Sequence, residues 1–489
     1  MTDTTAAWAG APLWRTLRLL ALPAAFVIVL VVLHLRPGTI GLYGFAAIFG
    51  VLLLASLRHG PESLLAVLVM YMPLQRLYAV ELAPGLNGTN LLEILTIGVW
   101  IISSVAKRRP LFVRRPFTRM VGVWAALSLL SVPTAMFAIG ISAFLWNYSI
   151  SLRAFIDQFI VFYLFANLIE DKDMARRMIV YMLLSASVSY LYGFHEWFGT
   201  RGLSSIAKSR LGGPIAQPNE YAAFVLYTIA PLLALGVFYL PRWKSLRLAP
   251  LLLIALRVLL GTFSRAGYLG LAAEVLVAAA LKSRKLLVLL GVAAAGVYFF
   301  LPQFLPHSMQ ARVAQTYEDR TLGGSLDRSA EERLLLWDAA VKMSLDSPLL
   351  GKGYDQFQRL AESYVSQYTK ATDNQNMFLY VSSNMGLPAL MAFMTVLLSF
   401  GWRGWRLWRR RDAADIDRII GLGASTMLAG LLVVNMFGTH MIDSSVDGLF
   451  WVYVAVLAHL LPPSASDLPS SPRTRPSLDR IAARRATQG

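Results

Sequence analysis

Apolar stretches of membrane-spanning length recur along almost the whole chain, and they constrain the fold before any motif is read. A helix crossing a hydrocarbon core of roughly 30 Å needs about 20 mostly apolar residues. In lipid only helices and closed barrels satisfy their own backbone hydrogen bonds. Suitable stretches lie near 17–35, 40–57, 62–80, 89–106, 118–139, 150–169, 176–198, 219–240, 247–263, 266–282, 285–302, 376–402, 418–438 and 445–462. The expected fold is an all-α polytopic integral membrane protein with about fourteen transmembrane helices. Composition agrees, with 56% of the 489 residues hydrophobic and 15% charged, against about a quarter charged in soluble domains. The first stretch has full spanning length and no small-residue cleavage site after it, so it reads as a span and not as a removed signal peptide.

Basic residues set the orientation. Arg15, Arg18, Arg58, the run from Lys107 to Arg119, Lys172, Arg176, Arg177, Arg242, Lys244, Arg247, Lys282, Arg284, Lys285, the run from Arg403 to Arg411 and the arginines after Pro462 all fall on one side if the spans alternate. That side is expected to be cytoplasmic, with both termini there. The formal net charge of +17 has the same origin, so the expected partner is the lipid bilayer and not nucleic acid.

The segment 303–375 then faces the opposite, periplasmic side as one large loop. Structureless loops beyond about 15 residues are usually functional or disordered, and this one carries helical patterning. Leu334, Leu335, Trp337 and Val341 fall at helical spacing. Asp346-Ser-Pro and Gly351-Lys-Gly break that pattern, and a second amphipathic stretch runs from about Tyr354 to Tyr368. Both are expected to be helices over the mouth of the bundle. The chain divides into N-terminal transmembrane helices (1–206), transmembrane helices with arginine motifs (207–302), the periplasmic loop (303–375), C-terminal transmembrane helices (376–462) and a disordered cytoplasmic tail (463–489).

There is no cysteine, which excludes disulfides and thiolate chemistry. The six histidines lack metal-ligand spacing, so neither a metal nor a cofactor is expected. The informative residues are charges out of place on the outer side, since charge at a membrane is costly and marks function. Arg153 is read in the first turn of the sixth span, with Asp157 one turn later. Arg210 and Arg265 stand beside helix breaks at the membrane edge. Two guanidiniums there suit a diphosphate, because arginine offers planar paired donors. The positive end of the helix opening at Pro218-Asn219 adds to that field. Arg201, Arg257, Arg312, Arg320, Arg328, Arg333 and Arg359 also lie on that side. For most of these, pairing with nearby acids is the plainer reading.

Several of these pieces occur in a recognisable order. Arg210-Leu-Gly-Gly-Pro-Ile-Ala-Gln-Pro-Asn-Glu is followed by Thr262-Phe-Ser-Arg-Ala-Gly and Arg333-Leu-Leu-Leu-Trp-Asp-Ala-Ala. Then come Pro348-Leu-Leu-Gly-Lys-Gly, Asn374-Gln-Asn-Met-Phe-Leu and Asn384-Met-Gly-Leu-Pro. From about Arg210 to Leu390 the chain resembles the O-antigen ligase and polymerase superfamily. The resemblance implies a metal-independent glycosyltransferase in a bacterial inner membrane. Its donor would be an oligosaccharide on a polyprenyl diphosphate such as undecaprenyl diphosphate. Its acceptor would be another glycan or the lipid A core, with polysaccharide export or chain-length proteins as further partners. By position, Arg210, Arg265 and Arg333 would bind diphosphate with Asn219, and Asp373, Gln375 and Asn376 would form the reacting end. The ligases carry a histidine where this chain has Gln375, and glutamine takes up no proton usefully. Asp373, His307 or His440 could replace it, or stabilising the departing diphosphate could make a base dispensable. Polymerisation of exopolysaccharide or O-antigen repeats is the expected reaction. A ligase is the near alternative and a secondary transporter the alternative from another class, although no internal repeat of spans supports a transporter.

Overall fold

A computed structural model describes residues 61–77, 81–83, 86–200, 209–240, 248–300, 328–365 and 373–461. The spans expected at 17–35 and 40–57, the tail 463–489 and His307 lie outside the described residues. Helix α1 (Glu62–Tyr71) runs into a 3-10 turn, Met72–Leu74, and a two-stranded hairpin of β1 (Glu81–Ala83) and β2 (Leu86–Asn87) follows. Then come α2 (Gly88–Ala106), α3 (Thr118–Leu129), α4 (Ser131–Ile139), α5 (Ile141–Leu168), α6 (Lys172–Thr200), α7 (Pro218–Tyr239), α8 (Ala249–Gly261), α9 (Arg265–Lys282) and α10 (Arg284–Phe300). After the undescribed part of the large loop come α11 (Arg328–Asp346), α12 (Phe357–Leu360), α13 (Met377–Met385), α14 (Leu387–Arg409), α15 (Asp415–Asn435) and α16 (Ser444–Leu460).

Among the described residues, seven helical stretches are long and apolar enough to cross a membrane: α2, α3 with α4, α5, α6, α7, α14 and α15. Three shorter apolar helices, Glu62–Leu74, Ala249–Gly261 and Ser444–Leu460, join them. The protein is therefore a polytopic, helical membrane protein. At its centre Trp124 of α3 stacks on Trp451 of α16 with ring centroids 5.4 Å apart, and Phe155, Phe159 and Phe393 close around it. Small residues let other helices approach more closely. A Cβ on Gly404 of α14 would lie 2.8 Å from the Gly421 carbonyl of α15, and one on Gly421 would lie 2.6 Å from the Gly404 carbonyl.

Three sequence expectations need correction. The apolar run 376–402 is not one span. It breaks at Gly386, whose φ of +90° suits glycine alone, and a Cβ there would sit 2.3 Å from the Leu349 carbonyl. Helix α13 therefore packs against α11 of the loop segment, and the span begins at Leu387. The sixth span starts at Ile141 after Gly140, not near 150, so Arg153 lies three turns into it. The loop helices also differ from their patterns. Helix α11 buries Leu336, Ala339, Ala340 and Met343 against Phe357 and Ala361, while Leu334 and Val341 are exposed. Among its described residues, the stretch from Tyr354 forms α12 and a 3-10 turn, Ala361–Ser363. Tyr354 is buried against Phe155 of the bundle, and Phe357 is buried too.

The motif pieces around this break are joined by their backbones. Lys352 N donates to Ser383 O at 2.8 Å, Gly353 N to Asn384 O at 3.1 Å, and Leu387 N to Pro348 O at 2.7 Å. Pro348-Leu-Leu-Gly-Lys-Gly and Asn384-Met-Gly-Leu-Pro thus clamp the loop segment to the bundle, and their glycines serve close approach.

Candidate active site

Four helix amino-termini meet at the end of the bundle that carries α11 to α13, and each is capped by its own side chain. Gln217 Oε1 accepts from Glu220 N at 2.8 Å ahead of α7. Ser264 Oγ accepts from Gly267 N at 3.3 Å ahead of α9. Asn376 Oδ1 accepts from Phe378 N at 3.0 Å and Leu379 N at 3.2 Å ahead of α13. Asp443 Oδ1 accepts from Ser445 N at 2.7 Å ahead of α16. Each start directs unsatisfied N–H groups and the positive end of a helix dipole towards this end.

Two groups of sequence-predicted residues are assembled here. In the first, Arg210 Nε donates to the Thr262 carbonyl at 2.9 Å and Nη2 to Asn219 Oδ1 at 2.7 Å. Leu211 N donates to Gly261 O at 2.9 Å. The Arg210 segment is thereby fastened to the turn from which Arg265 opens α9. Glu196 holds the same segment from α6, accepting from Gly213 N at 2.8 Å and Gly212 N at 3.2 Å. In the second group, Arg333 Nε donates to Gln375 Oε1 at 2.7 Å. Asp373 Oδ1 accepts from Gln375 N at 2.7 Å, and Asp373 Oδ2 accepts the Thr439 hydroxyl. Gln375 adopts φ +49°, an uncommon backbone state for a non-glycine residue that often marks a functional segment. Its amide oxygen accepts from a guanidinium, which a protonated histidine could not do.

The link between the groups is Arg76, which follows the 3-10 turn after α1. It donates to the Ile215 carbonyl at 2.8 Å, Glu220 Oε2 at 2.6 Å and Asp443 Oδ2 at 2.8 Å. Gln75 beside it donates to Asp443 Oδ1 at 3.3 Å. Burial pushes the Asp443 carboxyl up, but Arg76 and the Ser445 N–H outweigh it and hold it below its usual range. Glu220 lies close enough to Asp373 for that charge to bear on it. Asp355 accepts from Ser151 at 3.0 Å and Tyr380 at 3.3 Å. Burial raises its pKa, and the Asp373 charge adds to that. Sequence reading missed Arg76, Glu220, Asp443 and Asp355. Arg76 had a signal, a cation at the outer end of an apolar run just after Met72-Pro73.

Arg153 donates to Asn90 Oδ1 at 2.6 Å, beside buried Glu93 and beside Asp157, which lies near enough to Asp443 to feel its charge. His440 is buried and its Nδ1 has no hydrogen-bond partner. Its segment is docked on the second group, since Gly438 O accepts from Met377 N at 3.2 Å. Burial, aided by the Arg333 charge, lowers the His440 pKa from 6.5 to about 4. The folded protein keeps this imidazole neutral, whereas the unfolded chain protonates it near 6.5. Its contribution to stability is intact above 6.5 and is lost as pH falls towards 4, by about 3 kcal/mol in all at ~1.4 kcal/mol per unit. Unfolding of the detergent-solubilised protein at pH 7.5 and pH 5 should show about 2 kcal/mol of this loss, and His440→Gln should flatten it. An equal pH response in both proteins would contradict a buried neutral His440.

Among the described residues, no group of three or more His, Cys, Asp or Glu side chains could hold a metal ion. The arrangement offers fixed guanidiniums, helix amino-termini and partly exposed carboxylates, Asp373 among them, a set suited to an anionic leaving group and a hydroxyl nucleophile. A comparison with curated proteins returned no match. Residues 250–394, which include Arg265, Arg333, Asp373, Gln375 and Asn376 but neither Arg210 nor His440, match the family described as O-Antigen ligase, so this part of the chain is similar to that family.

Proposed function

We propose that this protein joins repeat units of a bacterial surface glycan at the periplasmic face of the inner membrane, drawing each donor glycan from a polyprenyl diphosphate. The observation that carries the reading is the fastening of Arg210 to both Asn219 and the Thr262 carbonyl. It holds one guanidinium against the turn that starts α9 at Arg265. In the proposed reaction Arg210 and Arg265 hold the diphosphate, with Arg333 reaching the same site from α11. A hydroxyl of the acceptor glycan attacks the anomeric carbon. The bond from that carbon to the diphosphate oxygen breaks, and its electron pair leaves with the diphosphate. Asp373 takes the hydroxyl proton. Gln375 positions Arg333, which accounts for a glutamine where the ligases carry histidine.

A second reading is transfer of finished chains to lipid A core or another acceptor, and the description of the matching family favours it. One experiment separates the two. The gene is deleted in its host, and surface glycans and lipid-linked intermediates are examined by gel and mass spectrometry after complementation with wild type or Arg265→Ala. Polymerisation predicts single repeat units in the deletion strain and chains restored by wild type but not by Arg265→Ala. Ligation predicts long chains accumulating on the carrier. Unchanged glycans in the deletion strain would defeat both readings.

A further inference from the structure

At the opposite end of the bundle the segment between α2 and α3 folds back to enclose a cavity of about 650 Å3. Arg114, Arg115, Arg119 and Arg403 line it together with Phe117 and Tyr163, and no carboxylate is among its described lining residues. The wall is held by specific bonds. Trp100 Nε1 donates to Leu111 O at 2.9 Å, Val113 N to Asn167 Oδ1 at 2.7 Å, and Tyr163 OH to Thr118 O at 2.9 Å. Phe112 packs edge-on to Trp100 and Tyr163, with centroids 5.1 and 5.7 Å away. Phe117 is buried at φ +75°, and the Arg403 guanidinium lies over its ring at 5.3 Å.

Arg114, Arg115 and Arg119 bring three guanidiniums to one hollow, and an anion among them would relieve their mutual repulsion. The neighbouring carboxylate of Glu170 is paired with Lys107. The Arg115 Nε is buried and has no hydrogen-bond partner. Burial and the charge of Arg109 lower the Arg115 pKa, as expected where positive charge is in excess. The hollow is also bordered by apolar surface. Leu111 and Phe112 are exposed beside it, and Ile94, Ile101, Ile102 and Val105 are exposed along α2. A basic cavity at the end of spanning helices with an apolar flank suits a lipid whose phosphate enters the cavity while its acyl chains follow the helix.

We infer that this cavity binds the phosphate headgroup of an anionic phospholipid from the leaflet at that face. A soluble phosphate shares the headgroup chemistry but makes no use of the exposed Leu111 and Phe112 at the rim of the cavity. The site is remote from the glycan-transfer site and does not depend on that reading.

The test uses the full chain, purified in detergent and stripped of lipid. Phosphatidylglycerol, phosphatidylcholine or inorganic phosphate is added, and bound lipid is counted by native mass spectrometry beside the thermal unfolding midpoint. Phosphatidylglycerol should bind about 10- to 100-fold more tightly than phosphatidylcholine and raise the midpoint, since each basic residue near a membrane surface is worth ~1 kcal/mol. The preference should nearly vanish in Arg114→Gln/Arg119→Gln/Arg403→Gln. Should that variant fail to fold, Arg119→Gln alone, at an exposed position, should weaken the preference about fivefold. Equal binding of the two lipids, or an undiminished preference in the variants, would overturn the inference. A midpoint shift from inorganic phosphate equal to that from phosphatidylglycerol would assign the cavity to a soluble anion instead.

Discussion

Arg76→Ala should lower the stability of the protein by on the order of 2 kcal/mol and stop glycan transfer. The side chain holds Glu220 at 2.6 Å and Asp443 at 2.8 Å. Without it, two carboxylates at the starts of α7 and α16 face each other with Asp373 close by. Exposed ion pairs are worth about 0–1 kcal/mol, and removing one partner of a fully buried pair costs about 3–5 kcal/mol. Arg76 is 31% exposed, which puts it between those limits. The helix amino-termini beside both acids soften the loss. Arg76→Lys should recover only part of it, because one ammonium cannot reproduce a guanidinium fork that also reaches the Ile215 carbonyl. Thermal unfolding in detergent reads the stability, and complementation of the deletion strain reads the transfer. An unchanged midpoint in Arg76→Ala would mean that the acids are solvated separately and that Arg76 does not join the two groups.

Arg210→Ala should reduce transfer by about 10²- to 10³-fold, the loss expected when one fixed donor to a developing negative charge is removed. Arg210 uses Nε and Nη2 on the protein, so a lysine cannot hold those two acceptors and also bind an anion. Arg210→Lys should therefore rescue little. Asn219→Ala keeps the charge but frees one arm of the guanidinium, and should give an intermediate loss. These variants are compared at equal protein level in the membrane, by the length of glycan made per unit time. Normal chains in Arg210→Ala would remove this residue from the transfer machinery and with it the main support for a diphosphate clamp.

Much of the scaffold could be read from the chain because lipid leaves few options for backbone hydrogen bonds. The apolar runs at 89–106, 118–139, 219–240 and 418–438 correspond to helices within a few residues. What the sequence hid depends on contacts between distant segments. The run 376–402 is apolar on both sides of Gly386, so its break becomes visible only where Leu349 and Pro348 meet it. On α11 the spacing of Leu334, Trp337 and Val341 suggested a buried stripe, whereas the stripe used is the smaller one of Ala339, Ala340 and Met343 facing α13. Close helix packing favours small side chains, which hydrophobic patterning undervalues. The site shows the same division. Arg210 and Arg265 were legible from helix breaks beside them. Arg76 was concealed inside a run taken for a span, and its acids, Glu220 and Asp443, lie 144 and 367 positions away in the chain.

Helix α16 is buried along all 17 residues, packed by α5, α6 and α7. With no face left for lipid, it meets only protein neighbours in the finished bundle. Yet it emerges from the ribosome after every one of them. The socket it fills therefore stays empty until it arrives. Asp443, at the mouth of that socket, reaches Arg76 only when α16 is seated. The end of the bundle that Arg76 ties together is thus complete only once α16 has joined the earlier helices.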